Sequence, residues 1–184
     1  QMHNTAKCFP SRACLLTGLY AQQCGMGQRG EHLENATTLG AVLREAGYTT
    51  LAVGKHHGSD NLYDMGFNHY WGMRDGAANY FNPGFPRPDE PVPAQKRPGK
   101  RVWCFDGKQM QPFTPGNPEY YGTDAFTDWA IELLDRYKAD KQPFFLYLAY
   151  QAPHDPLQAP EEDIARYLDR YRSGYAAVAR ARDQ

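Results

Sequence analysis

No apolar run in this chain of 184 residues is long enough to cross a bilayer. The longest aromatic and aliphatic stretch, residues 144–150, falls far short of the ~20 residues that a spanning helix requires. Neither sign of charge predominates: Lys and Arg number 20 against 21 Asp and Glu, a net charge of -1, with no basic stripe. That balance argues against nucleic acid or an anionic membrane surface as a partner. Cysteine is scarce, and Cys8, Cys14, Cys24 and Cys104 include no C-x-x-C pair, so the spacing offers no structural zinc site. No two aspartates are adjacent, and no internal repeat or low-complexity segment occurs, which leaves out solenoids and arrays. What remains is a chain 41% hydrophobic, long enough to bury the core of one domain.

The apolar periodicity alternates between two kinds. Leu39, Val42, Leu43 and Ala46 recur on one face of a helix, with Thr38 placed to cap its start and Gly47 its end. Residues 49–53 are short, β-branched and apolar, and read as a buried strand. Phe126, Trp129, Ala130, Leu133, Leu134 and Tyr137 mark a second helix face, with Asp128, Glu132 and Asp135 opposite. Pro143 then opens a second strand over residues 144–150. Ile164, Tyr167, Leu168 and Tyr171 mark a third helix, opened by Pro160 and an acidic first turn. This order is the grammar of an α/β domain, a largely parallel sheet flanked by helices. In such sheets ligands gather beyond the carboxyl ends of the strands.

Residues 73–122 are rich in Pro, Gly and aromatics and read as a long insertion, usually functional when ordered. Tyr80, Phe81, Phe85, Trp103 and Phe105 argue against disorder. Residues 102–105 and Lys108–Met110 flank Asp106-Gly107, a hairpin turn signal. Two readings stand side by side: a segment packed beside the site that helps choose the substrate, or a surface insertion with its own aromatic cluster.

Chemistry is concentrated in three places. The first is Cys8-Phe9-Pro10-Ser11-Arg12, continued by Leu15-Leu16-Thr17-Gly18. Pro10 holds its own φ and keeps Phe9 extended, and Ser11 is a good cap for a helix through Leu15 and Leu16. Gly54-Lys55-His56-His57 follows the first strand, and Pro153-His154-Asp155-Pro156 follows the second. A cysteine-dependent phosphatase needs Arg six places after its Cys, and that position is Cys14.

Together these motifs resemble, in order and spacing, the signatures of the type I (formylglycine-dependent) sulfatases, arylsulfatase-like members of the alkaline phosphatase superfamily. The resemblance implies that a formylglycine-generating enzyme oxidises Cys8 to an aldehyde. Its hydrate supplies one hydroxyl to attack sulfur and a second whose deprotonation expels sulfate, which plain Ser or Cys cannot do. It implies that Arg12 supports the modified residue, that Lys55 and His154 hold the sulfate, and that His57 hydrogen-bonds the diol and takes its proton. It also implies a divalent cation, usually Ca²⁺, bound by formylglycine at position 8. The remaining oxygen ligands are expected outside these residues, on an aspartate pair upstream and an Asp-Asn or Asp-His pair downstream, where a second lysine also lies.

The expected fold is alkaline-phosphatase/sulfatase-like and incomplete: residues 1–184 are expected to be a fragment of a single sulfatase catalytic domain, inactive in isolation. The substrate implied is a small-molecule or glycan sulfate ester. Alternatives are a related phosphonate or phosphate ester hydrolase and a non-catalytic sulfatase-like binding module. Family analogy suggests a periplasmic or extracellular site, although no signal peptide pattern is present. Phe9 is bulkier than the small residue usual after the cysteine, and His56 stands where the family has tryptophan. His56 is given no role, and His3, His32 and His69 read as ordinary histidines.

Overall fold

The computed structural model describes residues 5–28, 32–84 and 102–168; the expectations placed on His3, Phe85 and Tyr171 lie outside them. The elements in chain order are α1 (Cys8–Thr17), α2 (Leu39–Glu45), β1 (Thr49–Lys55), β2 (His69–Met73), β3 (Trp103–Phe105), β4 (Lys108–Met110), α3 (Gly122–Tyr137), β5 (Phe144–Ala149) and α4 (Glu161–Leu168). The strands form one five-stranded mixed sheet in the order β4-β3-β2-β1-β5. β1 lies between β2 and β5 and runs parallel to both. The β3–β4 hairpin continues the sheet antiparallel beyond β2.

The period of two along each strand divides the core into two layers. Leu51 and Val53 of β1, Trp71 and Met73 of β2 and Trp103 of β3 pack against Phe126, Ala130 and Leu133 of α3. The alternate residues Ala52, Tyr70 and Cys104 face the other way, towards Leu16 of α1 and the loop residues Leu62 and Phe67. Helices therefore cover both faces, as the alternation of patterns implied. A third cluster, Phe9, Ala13, Ala21, Cys24, Met26 and Leu33, anchors α1.

Several expectations need correction. α1 begins at Cys8, with extended Lys7 at its N-cap, so Ser11 lies inside the helix and does not cap it. Its hydroxyl donates back to the Thr5 carbonyl. Pro10 sits in the first turn, where its missing N–H leaves no intrahelical bond unmade, and Phe9 before it is helical rather than extended. Thr38 does cap α2, accepting from the Ala41 amide at 3.1 Å. The predicted α2 face is largely exposed, however, with Val42 at 51%. Gly40 is the buried residue instead, because the helix lies so close to Phe67 that a Cβ there would fall 2.4 Å from the ring.

β2 was not foreseen, and the described part of residues 73–122 is no separate lobe. Trp103 packs on Phe113, Phe126 and Trp129, so the hairpin belongs to the central sheet and its main core. At the hairpin turn, Asp106 accepts from the Tyr70 amide at 3.0 Å and pairs with His69 at 2.9 Å. The other His69 ring nitrogen meets the Tyr137 hydroxyl at 2.6 Å. His69 is thus a structural bridge from the hairpin to the end of α3. All four cysteines are free thiols. No helix among the described residues is long and apolar enough to cross a membrane.

Candidate active site

The parallel strands β1 and β5 end side by side, and α1 sets its N-terminus against them. The cleft between has a volume of about 700 Å³, and Cys8, Arg12, Lys55 and His154 line it. Cys8 is the first residue of a ten-residue helix, at the end where unpaired amides and the helix dipole favour an anion. Arg12 stands one turn further on the same helix, so the C-x-P-x-R spacing presents both side chains to one side.

Lys55 closes β1 and is buried, at 1% exposure. Burial lowers its ammonium from the ordinary 10.5 to about 8; the neighbouring Cys8 opposes that shift, as does Asp75, while Arg12 adds to it. A desolvated cation is thereby held directly against residue 8, where it interacts with an oxyanion far more strongly than a solvated lysine does.

Arg12 spends its donors on the backbone. Nη1 donates to the Lys55 carbonyl at 2.7 Å and reaches the Tyr147 hydroxyl at 3.5 Å, while Nη2 donates to the Tyr150 carbonyl at 3.1 Å. One guanidinium thus ties α1 to the carboxyl ends of β1 and β5. Its fork geometry suits two carbonyls on adjacent strands, which a lysine does not match.

His57 does not line the cleft. It stands at φ 62°, with its ring edge-on to Phe9 at 5.7 Å between centroids. Gly76 abuts the same ring: a Cβ there would come within 2.4 Å of the imidazole Cε1 and Nε2. The unusual bulk of Phe9 is accommodated in this contact. His56, beside it, is buried at 1% exposure, and neither ring nitrogen has a hydrogen-bond partner among the described residues. Burial pushes it from 6.5 down to about 4, so it is neutral.

His154 lies on the loop beyond β5, its amide bonded to the Gln151 carbonyl at 3.0 Å. Its Nδ1 meets the Asp155 carbonyl at 2.7 Å. A carbonyl only accepts, so Nδ1 carries the proton and Nε2 is left as the working nitrogen. The loop is stitched to the segment after β2: Gln151 bonds both polar groups of Ala78, Oε1 at 3.2 Å and Nε2 at 2.8 Å.

Four of the five sequence-predicted site residues therefore share one cleft, and the fifth, His57, packs on Phe9, the residue after Cys8. Sequence reasoning missed the contribution of the β2 loop, which brings Asp75 towards Lys55 and Gly76 against His57. A recognised β2 was the signal that would have found it, since its carboxyl end lies beside that of β1. For the implied cation, the described residues contain no group of three or more His, Cys, Asp or Glu that could hold a metal. The described residues therefore do not by themselves fit such an ion.

The chain matches the family model described as Sulfatase over residues 1–183. It is 33% identical over 203 residues to an arylsulfatase of Klebsiella aerogenes, covering 99% of this chain and 40% of that protein. It is 30% identical over 171 residues to the N-acetylgalactosamine-6-sulfatase of Canis lupus familiaris, covering 83% of this chain and 31% of that one. Among solved structures, it resembles Ps i-CgsB in complex with k-i-k-neocarrahexaose, with a TM-score of 0.66, 33% identity, and coverage of 88% of this chain and 38% of the other. A protein solved with its substrate D-glucosamine-2-N,6-O-disulfate shares the fold at a TM-score of 0.66 and 23% identity, covering 91% of this chain and 29% of that one. The chain thus spans about 40% of the length of the first of these relatives.

Proposed function

The chain belongs to the sulfatase family, with the alkaline-phosphatase-like fold, and from that premise we propose that it carries the nucleophile end of a sulfuric ester hydrolase. The observation that carries the reading is the cleft at the carboxyl ends of β1 and β5, where Cys8, Arg12, Lys55 and His154 meet and the buried Lys55 lies within electrostatic reach of residue 8. The reaction proposed is hydrolysis of a sulfate monoester of an aryl or carbohydrate alcohol, the two kinds of substrate named among the relatives.

Oxidation of Cys8 to formylglycine supplies, as its hydrate, a nucleophile that can also release sulfate. The chain's own residues do the rest. Lys55 places its ammonium against position 8 and against the sulfate oxygens nearest it. His154, with its Nδ1–H committed to the Asp155 carbonyl, turns Nε2 to the bridging oxygen, and it protonates the leaving alcohol as the imidazolium, after Nε2 has itself taken up a proton from solvent. His57, held by Phe9 and Gly76, serves as the base for residue 8. Arg12 fixes the strand ends that carry Lys55 and the His154 loop, and adds positive potential. Sulfatases generally also use a divalent cation. Position 8 is this chain's proposed ligand, and the other ligands are proposed to lie beyond residues 1–184, in the same catalytic domain.

The test uses the intact protein that contains this chain, made with a formylglycine-generating enzyme. Turnover of an aryl sulfate is measured beside an aryl phosphate, an aryl phosphonate and a sulfated sugar. The proposal expects sulfate esters to be preferred. Preference for phosphate or phosphonate assigns the related hydrolase instead, and binding of the sulfated sugar without turnover assigns a binding module.

A further inference from the structure

The loop that carries His154 is held by polar bonds to a segment 73 to 78 residues earlier in the chain, after β2. Tyr80 is the centre of that attachment. It is 4% exposed, and burial, its main perturbation, raises its hydroxyl to about 12, so it is a donor at any working pH. That hydroxyl donates to the carbonyl oxygen of His154 itself at 3.0 Å. Its amide donates to Gln158 Oε1 at 2.9 Å, and its carbonyl accepts from the Gly122 amide at 2.8 Å, at the first residue of α3. Tyr80 is therefore fixed to the rigid layer of the fold at one end and to the backbone of His154 at the other.

The consequence is geometric. His154 donates Nδ1 to Asp155, so its ring is locked relative to its own loop, and the loop is locked relative to Tyr80 and Gln151. A shift of that carbonyl moves Nε2 with it. Gln151, 7% exposed, grips the Ala78 amide and carbonyl together and so fixes the loop where it leaves β5. The Tyr80 hydroxyl then fixes its far side at His154.

We infer that Tyr80 is the positioning residue for His154: it sets the imidazole against the cleft through the His154 carbonyl, without touching substrate. The inference rests on the hydrolase reading for its kinetic consequence and on geometry alone for its structural one. The Tyr80 hydroxyl belongs to the scaffold and leaves the charge of the site unchanged. Its loss therefore acts on the step that uses Nε2, and lowers kcat while leaving KM close to its original value.

The experiment compares Tyr80→Phe with Tyr137→Phe in the intact, formylglycine-containing protein. Tyr137→Phe removes a hydrogen bond of similar kind from His69, at the opposite end of the sheet, and serves as the stability control. Three readouts are taken: thermal midpoint, kcat and KM for an aryl sulfate, and the His154 imidazole resonances in histidine-labelled protein. The expected result is a similar loss of thermal midpoint in both variants. Only Tyr80→Phe is expected to displace the His154 resonances and to lower kcat, by roughly tenfold, with KM little changed. The inference is overturned if Tyr80→Phe leaves the His154 resonances in place, or lowers kcat no more than Tyr137→Phe does. Should the unsubstituted protein turn over no sulfate ester, the hydrolase reading falls and the His154 resonances alone decide this one.

Discussion

His56 offers a quantitative test of how the site is packed. Its imidazole is wholly buried, neither nitrogen is partnered among the described residues, and Gly58 lies so close that a Cβ there would stand 2.4 Å from Nε2. Burial is the main cause that takes it from 6.5 to about 4; Asp60 opposes this, and Arg12 and Arg74 add to it. Between those two values the unfolded chain binds a proton that the folded chain does not. Stability therefore rises with pH across that window, and is lost as pH falls from 6.5 towards 4. At about 1.4 kcal/mol per pKa unit the full effect is on the order of 3 kcal/mol, of which about 2 kcal/mol is already lost by about pH 5. Replacing His56 with Leu removes the titrating group and two unpartnered polar atoms while keeping an apolar filling, so it should cost little or stabilise at neutral pH. Urea unfolding of both proteins from about pH 5 to 7.5 reads the difference. The expected outcome is that His56→Leu gains on the parent as pH falls, by about 2 kcal/mol at the acid end. Parallel stability profiles would show that His56 is hydrated or paired in solution, and that the packing argument is wrong.

Other outcomes follow from the same geometry. Gly76→Ala needs no left-handed backbone, yet its Cβ meets the His57 ring at 2.4 Å, whereas one at Gly116 meets nothing within 4 Å. The first substitution should lower turnover by roughly ten- to a hundredfold and the second should not; equal activities would separate His57 from the chemistry. Arg12→Lys keeps the charge but loses the fork to Lys55 and Tyr150, and should cost about 2 to 3 kcal/mol in urea unfolding; a loss under about 0.5 kcal/mol would deny Arg12 its role as a clasp. Trp103→Ala, in the core beneath α3, should cost about 3 to 5 kcal/mol; a near-neutral result in the same measurement would mean that the hairpin is not part of the central sheet.

The sequence was most legible where a local period meets a local need. Phe126, Ala130 and Leu133 recur at the helical period and are the residues that α3 buries. β1 is β-branched and apolar because both of its faces are covered. Cys8 and Arg12 share a side of α1 because four residues make about one turn. Legibility ended where distant backbone dictates the residue. Gly72 is required within β2: it pairs with Gly54 across the sheet, and a Cβ would fall 2.0 Å from the Gly54 carbonyl oxygen. Ser11 is the better cap by type, but the chain enters the helix at Lys7 because Cys8 and Phe9 must reach the cleft and the cluster beneath it. Gly40 buries a helix face that hydropathy assigned to Val42. Gly76, Tyr80 and Gln151 act only through the adjacency of β2, β1 and β5, which no local pattern encodes.

The central claim is that Cys8 is the precursor of the nucleophile, and peptide mass spectrometry of residue 8 tests it most directly. The protein is produced with an active formylglycine-generating enzyme and the peptide spanning the α1 N-terminus is measured. The account predicts the aldehyde or its hydrate at position 8, with turnover of an aryl sulfate rising in proportion to the fraction converted. Unmodified thiol at Cys8 in a protein that nonetheless hydrolyses the ester, or full conversion with no hydrolysis, would contradict it.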